Sequence, residues 1–305
     1  MLETKKRKNV GLDTENKTKK VISNTLLRII LIAATILVIV PIIWTIMSSF
    51  KTTKEFYASP WALPKSFGFA NYITAFTEAN MGAYFFNSIL VTIIAMVLSL
   101  CLSVPASYVL ARQKFFGCSF IKNLFMAGLF IQPVYIIVPL FTILEKMKLL
   151  NNLFALALVY AVLSLPFSIY IMSGFMKGIA KDYEEAAMID GCTNLQILTK
   201  IVVPLAKPGI ITIMIFNFMN YWNEYAMAMT FITDADKKTL PVGLQNLMEV
   251  QKFATDWGAL FAGLVIVMVP TMVIYSLVHK KLTEGVNIGG VKAVSYTHLR
   301  AHETC

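Results

Sequence analysis

Six apolar stretches of about twenty residues, at 26–47, 86–110, 123–144, 153–176, 210–232 and 258–279, constrain this chain more than any other feature. At 1.5 Å per residue, about 20 residues carry a helix across the roughly 30 Å hydrocarbon core of a bilayer. Inside that core each backbone N–H and C=O must be satisfied without water, and a run of this length achieves that as a helix. Composition agrees: 57% of the 305 residues are hydrophobic and 14% charged, against roughly 25% charged in soluble chains. The expectation is an all-α integral membrane protein with six transmembrane helices. Lys5, Lys6, Arg7, Lys8, Lys17, Lys19 and Lys20 precede the first stretch as they would in a secretory leader. That stretch is too long for a leader's apolar core, and no small-x-small cleavage pattern follows it.

Lysine and arginine set the expected orientation. The segments 1–28, 111–122, 177–207 and 280–292 hold 8, 3, 4 and 3 of them, whereas the intervening loops hold 3, 2 and 3. Basic residues accumulate in cytoplasmic loops, so both termini are expected inside. The net charge of +10 is therefore spread over loops rather than gathered on one compact surface, which sets nucleic acid aside as a partner. Residues 1–25 are read as a basic cytoplasmic segment, 26–279 as a six-span domain and 280–292 as a cytoplasmic tail.

Catalytic chemistry finds few groups to use. Cys101, Cys118, Cys192 and Cys305 lack ligand spacing, and with three histidines no metal site is expected. No GxxxxGK[ST] phosphate loop occurs, so ATP hydrolysis is not expected from this chain. No span offers a nucleophile with a base, which argues against an intramembrane enzyme. A stand-alone secondary transporter or channel is the alternative. It would carry several intramembrane ionisable groups or paired repeats, whereas Glu224 is the one acidic residue in any span. Pro41, Pro105, Pro133, Pro139, Pro166 and Pro270 fall within spans, where the favoured reading is that neighbouring helices tolerate them and the alternative is that they serve as gating hinges. Ala95, Ser99, Ser103, Ser107 and Ala111 form a ladder of small residues four apart, a face on which another helix can pack closely.

The polar segment 177–207, between the fourth and fifth stretches, has more order than a connecting loop requires. Asp182 followed by Glu185 fits a capping box, Ala186 and Ala187 propagate a helix, and Gly191 supplies a left-handed stop. A second short helix is expected from about Asn194, ending before Pro204. Leu195, Ile197, Leu198, Ile201 and Val202 make it apolar over much of its circumference, so other spans or a separate protein should cover it.

The run Glu184-Glu185-Ala186-Ala187, then Asp190-Gly191, then Ile201-Val202-Val203-Pro204, resembles the EAA loop of permease subunits in binding-protein-dependent ABC importers. Further stretches resemble the maltose-type carbohydrate branch of that family. They are Asn87-Ser88, Ala111-Arg112 before Phe115-Phe116-Gly117, Leu165-Pro166-Phe167, Trp222-Asn223-Glu224, Leu240-Pro241-Val242-Gly243-Leu244, and Glu284-Gly285 through Gly290-Val291-Lys292. The likeness covers 21–292, with Cys192 and Thr193 where the family more often has Ala and Ser.

The resemblance implies a type I ABC importer permease-like bundle in a bacterial-type inner membrane. Such a subunit, not itself an enzyme, forms half of a heterodimeric translocation pathway with a second permease subunit, for a sugar or related polyhydroxylated solute. It implies two ATP-binding cassette ATPase subunits that use ATP and Mg, an extracytoplasmic solute-binding protein, and no cofactor in this chain. Glu184, Glu185, Ala186, Ala187, Asp190 and Gly191, with Pro204, are the implied ATPase-coupling residues. The outer loop 233–257 is the implied contact for the binding protein. Residues 293–305, which hold His298 and His302 four apart, lie beyond the likeness and read as an extension foreign to the protein.

The fifth stretch carries the polar residues Asn217, Asn220, Asn223 and Glu224, with Tyr221 and Trp222 among them. At 100° per residue, Asn217, Asn220 and Glu224 would share an arc of about 60°, with Asn220 near the bilayer midplane. Two readings stand: a polar stripe lining a solute pathway with aromatic rings for a sugar, or an interhelical hydrogen-bond network.

Overall fold

The computed structural model describes residues 2–251 and 256–290, with side chains at 23–77, 79–248 and 256–278. The expected extension at 293–305 lies outside the described residues. No strand occurs among them. The helices are α1 (Leu2–Ser48), α2 (Thr53–Ala58), α3 (Met81–Arg112), α4 (Cys118–Gly128), α5 (Pro133–Lys146) and α6 (Leu153–Gly178). They continue with α7 (Asp182–Ile189), α8 (Asn194–Leu205), α9 (Lys207–Trp222), α10 (Ala226–Phe231), α11 (Leu240–Gln251) and α12 (Trp257–Gly290).

Four apolar segments, Ser23–Ser48, Met81–Arg112, Leu153–Gly178 and Trp257–Val278, are long enough to cross a membrane unbroken. The third expected span is broken: α4 and α5 meet at 103°. Gln132 precedes Pro133, which disfavours helical backbone at Gln132, and Pro133 then opens α5 at a position that needs no N–H. The fifth expected span is also interrupted. α9 stops at Trp222, after about 24 Å of rise, and α10 resumes at Ala226. Apolar composition gave both spans their length but could not specify their continuity.

The chain forms two compact units. One comprises α1, the segment to residue 72, and the start of α12 to Val265. In it Trp44, Phe56 and Phe261 pack with centroids 5.1–6.0 Å apart, and the buried Lys51 donates to the carbonyl oxygens of Pro60 (2.7 Å) and Ser59 (3.3 Å).

The other unit is built around α3 against α6, where the small-residue ladder performs as expected. Ala95, Ser99, Ser103 and Ser107 are buried along the α6 contact, and Ser107 donates to the carbonyl of Ser103 at 2.6 Å. Pro105 and Pro166 lie inside these helices without breaking them. One apolar cluster joins Val91, Ala95, Leu156, Tyr160, Tyr221 and Phe231. A second, at the other end of α3, joins Val104, Tyr108, Met172, Met176, Ala187, Ile197 and Val202. This second cluster seats the loop that the sequence singled out.

Candidate coupling and translocation site

α7 begins at Asp182 with Lys181 as its N-cap, and no side chain caps it. The expected capping box between Asp182 and Glu185 is therefore not formed; Asp182, Glu184 and Glu185 instead sit in the first turn, where the helix dipole favours acidic groups. Gly191 ends the helix as expected, with φ +79°. Cys192 N–H reaches back to the carbonyl of Ala187 at 2.9 Å, the closure of a Schellman turn. A capping box does form at the start of α8, where Thr193 Oγ1 accepts from Gln196 N–H (3.4 Å) and Gln196 Oε1 accepts from Thr193 N–H (2.8 Å). The Thr-x-x-Gln spacing was the overlooked signal.

α8 runs through Pro204 to Leu205 rather than ending before the proline. Leu198–Val202 form a π turn, and Val203 N–H bonds the carbonyl of Leu198 five residues back. Widening the helix just before Pro204 relieves the clash that its ring would make in a tighter turn.

The loop has two faces. Ala187, Ile197, Leu198 and Val202 are buried in the second cluster, so part of the apolar surface of α8 is covered by the chain's own spans. Glu185, Ala186, Asp190, Gly191 and Pro204 are exposed. Beside them lie exposed apolar side chains: Tyr183 at 57%, Met188 at 53%, Ile189 at 87% and Leu195 at 69%.

Glu184 belongs to the inner face. It is 8% exposed. Its Oε1 lies 2.8 Å from Arg112 Nε, and its Oε2 accepts a 3.0 Å hydrogen bond from the Tyr108 hydroxyl. Arg112 Nη2 also donates to the carbonyl of Ile179, just past α6, at 2.6 Å. One guanidinium thus joins the end of α3, the end of α6 and the first turn of α7. Removing one partner of such a buried pair typically costs about 3–5 kcal/mol. Arg112 falls within a family-like motif, but its role is not legible in the sequence, because the Arg–Glu pairing spans a long separation that no local pattern marks.

The polar residues of the fifth stretch separate into different environments. Asn217 is buried, and its Nδ2 donates to Ser168 Oγ (3.0 Å) and Ser99 Oγ (3.3 Å), pinning α9 to α6 and α3. Asn220 and Asn223 are exposed. Tyr221 stacks on Tyr160 at 5.7 Å and shares a hydroxyl hydrogen bond with Ser164. Trp222 stacks on Phe218 at 5.7 Å, meets Phe85 edge-on, and donates through Nε1 to the carbonyl of Val267 at 3.1 Å. Both Tyr221 and Trp222 are buried against their own chain.

Glu224 lies beyond the end of α9, so the expected common face of Asn217, Asn220 and Glu224 does not form. Its Oε1 accepts from Met227 N–H at 2.7 Å, and its Oε2 accepts from Ala228 N–H at 3.0 Å and from the Tyr160 hydroxyl. The carboxylate satisfies the free N–H groups at the start of α10 and supplies the negative charge that a helix N-terminus favours. The 100° rule holds only while a helix continues. Tyr160, Ser164 and Ser168, all on α6, are the site neighbours that the sequence did not indicate.

A cavity of about 670 Å³ opens between α4, α6 and the start of α9, lined among others by Lys122, Phe125, Pro166, Tyr170, Phe175 and Pro208. None of the expected pathway residues lines it.

The sequence pattern of the family described as "Binding-protein-dependent transport system inner membrane component" matches residues 103–287, from the middle of α3 through most of α12. The chain belongs to that family. It is a multi-pass permease subunit of an ABC importer, contributing to a translocation pathway rather than catalysing a reaction. The diacetylchitobiose uptake system permease protein NgcG of Streptomyces coelicolor is 37% identical over 260 residues, covering 85% of this chain and 86% of that protein. The sulfoquinovosyl glycerol transport system permease protein SmoH of Agrobacterium fabrum is 37% identical over 266 residues, covering 86% and 92%. The trehalose/maltose transport system permease protein MalG of Thermococcus litoralis is 31% identical over 277 residues, covering 90% and 99%. Among solved structures, a chain of a bacterial ABC transporter that imports the acidic polysaccharide alginate matches with a TM-score of 0.75 at 24% identity, covering 85% of this chain and 96% of that one. The permease fold expected from the sequence is thus the fold observed.

Proposed function

We propose that this permease carries a sugar or closely related polyhydroxylated solute inward, and that its loop 177–207 couples the pathway to ATP hydrolysis on two partner ATPase subunits. The observation that carries the coupling reading is the division of the loop into a buried face fastened to α3 and α6 and an exposed face. On the exposed face Glu185 and Asp190 stand beside uncovered Tyr183, Met188, Ile189 and Leu195. Acidic groups bordering an apolar patch suit a partner groove with a basic rim. Ala186 and Gly191 keep the exposed face slim for close approach, Ala187 lets α7 seat against the chain's own spans, and Pro204 with the π turn fixes the angle of α8. Glu184 contributes by holding α7 in place.

The pathway reading draws on the two interrupted spans. Irregular backbone at membrane depth is tolerated where it meets protein or water rather than lipid. The breaks at 129–132 and 223–225, whose following helices α5 and α10 pack together, therefore favour a water-filled path or a second permease subunit alongside them. Asn220 and Asn223 are exposed and could meet a hydroxylated solute, Asn223 while its Nδ2 donates to the Met219 carbonyl at 2.8 Å. Asn217, Tyr221, Trp222 and Glu224 shape the pathway from within the protein. Sugar as the solute class follows from the relatives, whose names refer to diacetylchitobiose, sulfoquinovosyl glycerol and trehalose/maltose. The basic-residue count favours cytoplasmic termini, with 1–25 and 280–292 inside, 26–279 as the permease domain and an external binding protein docking at 233–257.

Purification of the tagged chain from its own cell in mild detergent tests the assembly: two ATPase copies and one second permease per chain are expected. Reproducible recovery of the folded chain alone would overturn it. Binding of candidate sugars to the solute-binding protein that works with the purified importer then tests the solute class.

A further inference from the structure

The buried pair at Arg112 has a counterpart at the opposite end of the same helix. In the first turns of α3, Asn87 Nδ2 donates to the carbonyl oxygens of Asp236 (2.8 Å) and Lys238 (3.0 Å). Ser88 Oγ, itself buried, accepts from Leu240 N–H at 2.8 Å. Gly243 packs so closely on the Tyr84 ring that a Cβ there would run into it. These contacts fasten the outer loop and the start of α11 to α3. About 38 Å further along the helix, Tyr108 and Arg112 fasten the coupling loop to its last turn. Between the two ends, Ser99, Ser103 and Ser107 lie flush against α6, and α3 continues through Pro105 without a break.

We propose that α3 is a strut that carries the state of the outer loop to the coupling loop, with Asn87 and Ser88 at one end and Tyr108 and Arg112 at the other as positioning residues for transport. The proposal rests on the coupling reading above. Its physical basis is that parting the outer loop from α3 would strip partners from the buried Ser88 hydroxyl and the half-buried Asn87 amide, and parting the coupling loop would strip them from buried groups as well. At the inner end the group left behind would be a guanidinium or a carboxylate, the most unfavourable case. The loops therefore move with the helix. Arg112 is suited to this position because a planar guanidinium reaches Glu184 and the Ile179 carbonyl at once, which a lysine ammonium cannot match.

The test uses the complete importer in lipid nanodiscs, with ATPase rate measured in the absence and presence of the solute-loaded binding protein. Asn87→Ala and Arg112→Gln are each expected to lower the stimulation about tenfold, within the usual range of coupling between sites, with subunit stoichiometry and the unstimulated rate retained. Arg112→Lys should recover part of it. The double variant should fall no further than the weaker single one, since both act on one path. Normal stimulation in both single variants, or fully additive losses, would overturn the strut. If Arg112→Gln does not assemble, Tyr108→Phe, which removes one hydroxyl, takes its place. Glu185→Lys separates the two ideas: normal uptake in that variant overturns the coupling reading itself, whereas uncoupling there with normal stimulation in the α3 variants overturns only the strut.

Discussion

Glu184, in the polar segment between two long apolar stretches, and Glu224, within the second of them, are put to different uses by the structure. Glu184 faces a cation 72 positions away in the chain and joins three segments, whereas Glu224 faces two backbone N–H groups and a phenol and starts one short helix. A carboxylate opposed by a guanidinium holds distant elements together, and its loss strands a buried charge. A carboxylate opposed by neutral donors caps one short helix and ties it to a phenol on α6, and its loss leaves unpaired dipoles rather than an unpaired charge.

The contrast predicts an ordering of stability effects. Glu184→Ala should destabilise the purified chain most, by about 3–5 kcal/mol, because Arg112 is left unpaired. Thermal unfolding in detergent reads this directly, and a smaller effect than that of Glu224→Ala would break the comparison. Glu224→Ala should cost about 1.5–3 kcal/mol, the range for hydrogen bonds to a charged group. Its loss should appear first as faster hydrogen exchange at Met227 and Ala228. Gly191→Ala forces a side chain onto a left-handed residue at about 1–2 kcal/mol; a crystal or cryo-EM structure of the variant with α7 unshifted and unchanged stability would contradict it. Glu185→Lys should leave stability within about 0.5 kcal/mol, as expected at an exposed position, while abolishing uptake in cells. That last pairing sharpens the distinction between the inner and outer acids of one helical turn: Glu184 for stability, Glu185 for transport.

Much of this fold was legible before the structure. The small-residue ladder on α3 marked its contact with α6, and Gly191 marked the end of α7. Legibility failed where one residue had two ways to be satisfied. Asp182 had the spacing for a capping box, but α7 begins at that residue and the box forms at Thr193 instead. Glu224 was projected onto the face of a helix that stops two residues before it. Pro105 and Pro166 sit inside continuous helices as expected, whereas Pro133, expected within a span, stands like Pro208 at the first turn of a helix that restarts after a bend. A proline's position relative to the residues that precede it, rather than its presence, marks the break. The Arg112–Glu184 pair was beyond local inference altogether, since its partners meet only once α3, α6 and α7 have converged.

The π turn at Leu198–Val202 bears on how such permeases can be recombined. It inserts one residue into the helical count between Thr193 and α9. A splice that added or removed a residue there would turn Leu195 and the outward side of α8 by about 100° relative to the Pro204 end of the same helix. Ala206 alone separates α8 from α9, so no loop is present there to absorb a difference in length. Within α8, a change of one residue would aim the loop at a different partner surface.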